Sequence, residues 1–161
     1  MNFSENSKVW IYQSNRELAA AEVDQITKSL HDFTADWTAH NNQLKATAEI
    51  RYKRFIILVV DETQAGASGC SIDKSVNLMK ALEQEFNINL FDRFNIAYRD
   101  GDAIKSVGRF EFEELIKHGK VGAETIVFNN LVPDLKSLDS QWEVPFKSSW
   151  HKQVFGGLVS A

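Results

Sequence analysis

Hydrophobic and polar positions change their period several times along the chain, and each change predicts an element. Val9-Trp10-Ile11-Tyr12 is a short β-branched and aromatic run, the composition of a strand. Ser14-Asn15-Arg16-Glu17 has the Ser-x-x-Glu spacing of a capping box and predicts a helix start. In the helix that should follow, Val23, Ile26, Leu30, Phe33 and Trp37 recur at three and four and so share one face, until Asn41-Asn42 breaks the pattern. From Leu44 to Tyr52 apolar residues alternate with Lys45, Thr47, Glu49 and Arg51, as in a strand with one wet face. Phe55-Ile56-Ile57-Leu58-Val59-Val60 has no polar interruption and predicts a strand at the sheet centre.

The second half repeats the alternation of periods. Ile72, Val76, Met79, Leu82 and Phe86 form another helical stripe, ended by Asn87. Asn95 to Tyr98 is a strand, Asp100-Gly101 a hairpin turn, and Ala103 to Val107 its returning strand. A short helix follows from Glu111 to Lys117, then a strand from Thr125 to Phe128. After Pro133 the pattern weakens, and residues 134–161 read as an irregular tail anchored by Trp142, Pro145 and Trp150.

The first six elements run strand, helix, strand, strand, helix, strand. That is the split order of a ferredoxin-like βαββαβ sandwich, an α+β fold, here with an additional hairpin, helix and strand. The alternative is a three-layer α/β fold with a parallel sheet. The short junction at Tyr52-Lys53-Arg54 leaves no room for a crossover helix, so its two strands should be antiparallel. A single domain over residues 1–161 fits the length and the 43% hydrophobic composition.

Charge and cysteine content narrow the function classes. A formal charge of −4 without a basic cluster gives no attraction to nucleic acid. One cysteine cannot form an internal disulfide, the opening residues lack a secretion-signal core, and no apolar run approaches the ~20 residues needed to span a bilayer. A cytoplasmic protein without membrane insertion is expected, its oligomeric state left open.

Candidate chemistry gathers where the apolar strand ends. Asp61-Glu62 closes that strand, and a Gly/Ser loop carrying Gly66, Ser68, Gly69 and Cys70 leads into the second helix at Ser71, Asp73, Lys74 and Ser75. Free N–H groups at a helix start favour anions and lower a thiol pKa. The loop, with Asn129 and Asn130 at the end of the last strand, is therefore a candidate site for a small anionic ligand or a protein partner. As an enzyme, the chain would use Cys70 as nucleophile with His151 or His40 as base and Asp61 or Asn129 as orienter, or Asp61 and Glu62 with a divalent metal on a phosphorylated substrate. Neither a Cys-x-x-Cys pair nor the arginine of a phosphatase loop accompanies Cys70, and a packed or loop-capping cysteine is the simpler reading. The histidines share no metal-ligand spacing, so no metal site is expected.

Val9 to Asn15, Arg54 to Glu62, Ser68 to Ser75 and Val127 to Val132 together resemble a family of short bacterial proteins labelled "ABC transporter ATPase", over nearly the whole chain. That resemblance implies Asp61 supporting Mg²⁺ and Glu62 polarising the attacking water. The residues supply no matching phosphate cradle: Ser68 and Asp73 stand where a Gly-x-x-x-x-Gly-Lys-Ser loop needs glycine, and the loop follows the Asp-Glu strand instead of preceding it. No Leu-Ser-Gly-Gly-Gln signature occurs. No resident cofactor is expected, ATP with Mg²⁺ being disfavoured.

Overall fold

The computed structural model describes residues 2–159. Its elements in chain order are β1 (Lys8–Gln13), α1 (Ala20–Ala35), β2 (Thr38–Ala39), β3 (Asn42–Gln43), β4 (Lys45–Arg51), β5 (Phe55–Asp61), α2 (Gly69–Phe86), β6 (Ile96–Asp100), β7 (Ala103–Val107), α3 (Arg109–Lys117), β8 (Ile126–Phe128), α4 (Leu135–Gln141), β9 (Glu143–Pro145) and α5 (His151–Phe155). All strand pairs are antiparallel: a sheet of order β1-β5-β4, the small hairpin β2-β3, and a second sheet of order β7-β6-β8-β9.

β5 is buried at every position, because both faces of the first sheet are covered. Ile56 and Leu58 pack with Leu30 of α1 and Met79 and Leu82 of α2, while Phe55, Ile57 and Val59 pack with Ala97, Phe128 and Trp142 of the second sheet's side. The same alternation divides β1, with Trp10 and Tyr12 toward the helices and Val9 and Ile11 toward the second sheet. The second sheet is covered in turn: Ile96, Tyr98 and Val127 pack against Phe112 and Ile116 of α3 and Phe155 of α5. The layers therefore run helices, sheet, sheet, helices.

This architecture is mixed α and β, and it departs from the expected sandwich at one strand. The order β1-β5-β4 matches three neighbours of a ferredoxin-like sheet. The fourth, β6, does not pair beside β1; it pairs with β7 and β8 in the second sheet. At the end of β1 the Gln13 side chain donates to the Asn95 carbonyl at 2.6 Å and the Asn95 side chain donates to the Ser14 carbonyl at 3.4 Å, and these join it to the approach of β6. The edge of β1 is bridged to Asp134 at Lys8, and beyond Val9 it becomes one wall of a groove.

Two further expectations are corrected. Helix α1 starts at Ala20, not at Ser14: the main-chain N–H groups of Ser14, Asn15 and Leu18 donate to Arg54, Asn89 and Lys53, so this stretch is drawn out along neighbouring segments. The Glu22 carboxylate instead accepts the Ala19 N–H at 2.9 Å and pairs with Arg16 at 2.8 Å. Residues 134–159 are not irregular, because Asp134 accepts the Ser137 N–H and opens α4, β9 pairs with β8, and Trp142 and Phe146 lie in the core. The expected end of the tail at residues 160 and 161 lies outside the described residues. Among the described residues no helix is long and apolar enough to cross a membrane.

Candidate functional site

At the corner after β5, the polar side chains are bound to the protein itself. Asp61 is buried and accepts the N–H groups of Ser4 and Thr63, each at 3.0 Å, with Lys45 Nζ at 3.4 Å. Those N–H donors hold its carboxyl well below the usual carboxylate range. Glu62 pairs with Lys8 at 3.0 Å and accepts the Ala67 N–H at 2.8 Å. A Cβ on Gly66 would stand 2.9 Å from Glu62 Oε2, so the small residue lets the loop close over that carboxylate.

The start of α2 is capped from within. Ser68 Oγ accepts the Ser71 N–H at 3.2 Å, and Ser71 Oγ accepts the Ser68 N–H at 2.6 Å while donating to the Ser68 carbonyl at 2.8 Å. Ser71 and Ser75 are buried, and Ser75 Oγ donates to the Ile72 carbonyl. Gly69, Cys70, Asp73 and Lys74 are exposed. Cys70 is a free thiol, and no hydrogen bond joins it to another side chain among the described residues.

The remaining candidates lie elsewhere. Asn129 Oδ1 accepts the Leu131 N–H at 3.1 Å, closing its own turn. Asn130 donates to Gln13 Oε1 at 2.9 Å and accepts from Trp142 Nε1 at 2.9 Å, which ties β1 to the second sheet's core. His151 is buried, stacked on Trp150 with ring centroids 3.9 Å apart, and bonded through Nδ1 to Ser149 Oγ at 2.7 Å. Burial lowers its pKa to about 4, so the ring is neutral at physiological pH. Asn130 and His151 both line the groove beside β1, whereas none of residues 61–75 does.

That groove has a volume of about 620 Å³ and runs along Val9–Gln13, residues 90–97 and 130–133, ending at Trp150 and His151. Phe91, Phe94 and Leu131 stand exposed around it, Leu131 at 68%. Gln13 and Asn130 form a polar floor whose members hold one another.

The backbone of β1 contributes more than its side chains here. The Val9 N–H donates to the Pro133 carbonyl and the Ser7 carbonyl accepts from Leu135, so odd-numbered residues turn their main-chain groups away from β5. By the alternation of an antiparallel pair, Ile11 and Gln13 point theirs the same way, into the groove, where no strand among the described residues pairs with them.

Gln13, Phe91, Phe94 and Leu131 line or rim the groove without belonging to the 61–75 corner or the Asn129-Asn130 pair. Two phenylalanines inside the polar stretch Asn89 to Asn95, and a leucine following Asn129-Asn130, are the signals that point to them. Among the described residues no group of three or more His, Cys, Asp or Glu side chains is placed to hold a metal ion. No family model matches the chain, and no curated protein or solved structure matches it either.

Proposed function

We propose that this protein is a non-catalytic interaction module that takes an extended peptide segment of a protein partner in the groove beside β1. The observation that carries this reading is the open edge of β1, where the N–H and C=O of Ile11 face the groove with no strand opposite. An added strand satisfies such groups, and its alternate side chains take the pockets beside it. The rim of Phe91, Phe94 and Leu131 offers apolar contact to those side chains. The self-bound corner at residues 61–75 supports a structural role for Asp61 and Glu62, so the interaction surface passes from that corner to the groove.

The enzyme reading has less behind it. Cys70 is exposed on α2 and His151 is buried against Ser149 and Trp150 beside the groove, which gives a thiol and a base no shared cavity. The ATPase resemblance would need Asp61 open to a metal, and its oxygens are occupied by Ser4, Thr63 and Lys45.

Selection from a displayed peptide library followed by titration calorimetry tests the proposal. Ile11→Pro removes the outward N–H while leaving the bonds to β5, because proline is tolerated on an edge strand whose N–H faces away. Selected peptides should bind the native protein and lose at least about tenfold in affinity, about 1.4 kcal/mol, with Ile11→Pro and with Leu131→Asp, and keep their affinity with Ile11→Val and Cys70→Ser. Peptides that bind Ile11→Pro and the native protein equally would defeat it.

A further inference from the structure

A second cavity, of about 350 Å³, lies below the β4–β5 turn and is lined by Glu17, Tyr52, Lys53, Arg54 and residues 102–104. Arg54 is only 9% exposed, and its guanidinium donates to Ser106 Oγ at 2.9 Å and to the Ile104 carbonyl at 3.3 Å, both neutral. Arg16, Arg51, Arg99 and Arg109 each pair with a glutamate, whereas no carboxylate lies within 4.0 Å of Arg54 among the described residues. A guanidinium carries five N–H groups, and two bonds leave three of them free. Its hydrogen bonds reach only neutral groups, and the exposed Glu17 carboxylate acts on it from beyond ion-pair distance. A buried charge so weakly compensated is costly, and a carboxylate or phosphate supplies the bidentate partner that a guanidinium fits best.

We infer that this cavity is a binding site for a small oxyanion, a carboxylate or phosphate group, clasped by Arg54 from the inner wall and met by Lys53 at the mouth. Lys53 is exposed and has no carboxylate within 4.0 Å among the described residues, so it is available as the second cation. Glu17 and Asp102 also line the cavity. Both are exposed at its rim, where water screens them, and they set a preference for compact anions over extended polyanions. The site is independent of the groove beside β1, which shares none of its lining residues.

Thermal unfolding and titration calorimetry with inorganic phosphate and with succinate, against chloride at matched ionic strength, test the site. A saturable rise in Tm with phosphate or succinate, absent with chloride, is the expected result, and the tighter of the two assigns the anion class. Arg54→Lys should weaken binding at least tenfold, because an ammonium cannot make the bidentate contact. Lys53→Gln should weaken it several-fold, and Glu17→Gln should tighten it several-fold by removing a competing carboxylate. Both positions are exposed, so these two variants decide the matter even where Arg54→Lys fails to fold. No saturable rise in the native protein would overturn the inference. So would a response unchanged in Lys53→Gln together with a lowered Tm and unchanged anion response in Glu17→Gln, which would make Glu17 the counter-ion and leave only solvent in the cavity.

Discussion

The corner after β5 and the groove beside β1 are assembled from similar materials, a strand segment, a loop and a few amide, hydroxyl and carboxylate groups. At the corner these side chains are bound by the protein's own groups: Asp61 takes Thr63 beside it and Ser4 from the opening segment, Glu62 takes Ala67, and Ser68 and Ser71 cap each other. At the groove Gln13, Asn130 and Trp142 satisfy one another, but the buried Trp150 Nε1 has no partner among the described residues, the main chain of Ile11 faces no strand there, and apolar rings stand open beside it. Polar richness in a sequence marks either situation. Only the accounting of main-chain partners tells a finished corner from an unfinished edge.

The largest expected separation between the two regions is in acid. His151 titrates near 6.5 in the unfolded chain and about 4 in the folded one, so the unfolded chain takes the proton first as pH falls. Its contribution is complete above about pH 6.5 and falls away by about pH 4, a loss of roughly 3 kcal/mol. Urea unfolding at intervals from pH 7 to pH 4 should show that decline in the native protein and a flatter profile in His151→Asn. Asp61, with its carboxyl held low, keeps its contribution through this window and loses it only as pH falls below its ordinary range near 3.8. The stability lost between about pH 6.5 and about pH 4 therefore comes from the groove's His151 and not from the corner's Asp61, and the native protein compared with His151→Asn reads that difference directly.

A smaller effect belongs to the corner alone. Ser68→Ala removes the oxygen that caps α2 and should cost about 1 kcal/mol in chemical denaturation. The smallest effects sit on the groove rim: Leu131→Asp and Phe94→Ser should each move stability by no more than about 0.5 kcal/mol, because both side chains are already exposed. A rim substitution that destabilised as much as Ser68→Ala would show those rings to be core and would erase the distinction between the two regions.

Local signals were legible where one segment decides its own state. The unbroken run Phe55 to Val60 is a strand buried on both faces, and the stripe from Ile72 to Phe86 is helical, ended by Asn87 in a left-handed conformation. The Ser14-to-Glu17 capping pattern does not open a helix because the main-chain N–H groups of Ser14 and Asn15, and of Leu18 just after, are claimed by Arg54, Asn89 and Lys53, partners that no local pattern contains. The departure of β6 to a second sheet was hidden for a related reason. Ile96-Ala97-Tyr98 alternates equally well beside β1 or beside β8, and the choice rests on what Ala97 and Phe128 pack against. The groove is tertiary altogether, since β1, residues 90–97, residues 130–133 and α5 meet there from four separate parts of the chain. In sequence Arg54 is only the end of a turn, and its burial follows from contacts with β7 about fifty residues away.

The turn between β4 and β5 places Tyr52 and Lys53 both at positive φ, near 55° and 54°, a conformation that a bulky aromatic residue adopts only at a cost of roughly 1–3 kcal/mol. Tyr52 offsets that cost across the molecule, stacking on Trp142 and donating its hydroxyl to Glu143, which Arg99 also grips. The hairpin of one sheet is thus latched by the outermost strand of the other. Neither half can relax without unfastening its counterpart, and the two sheets should melt as a single cooperative unit.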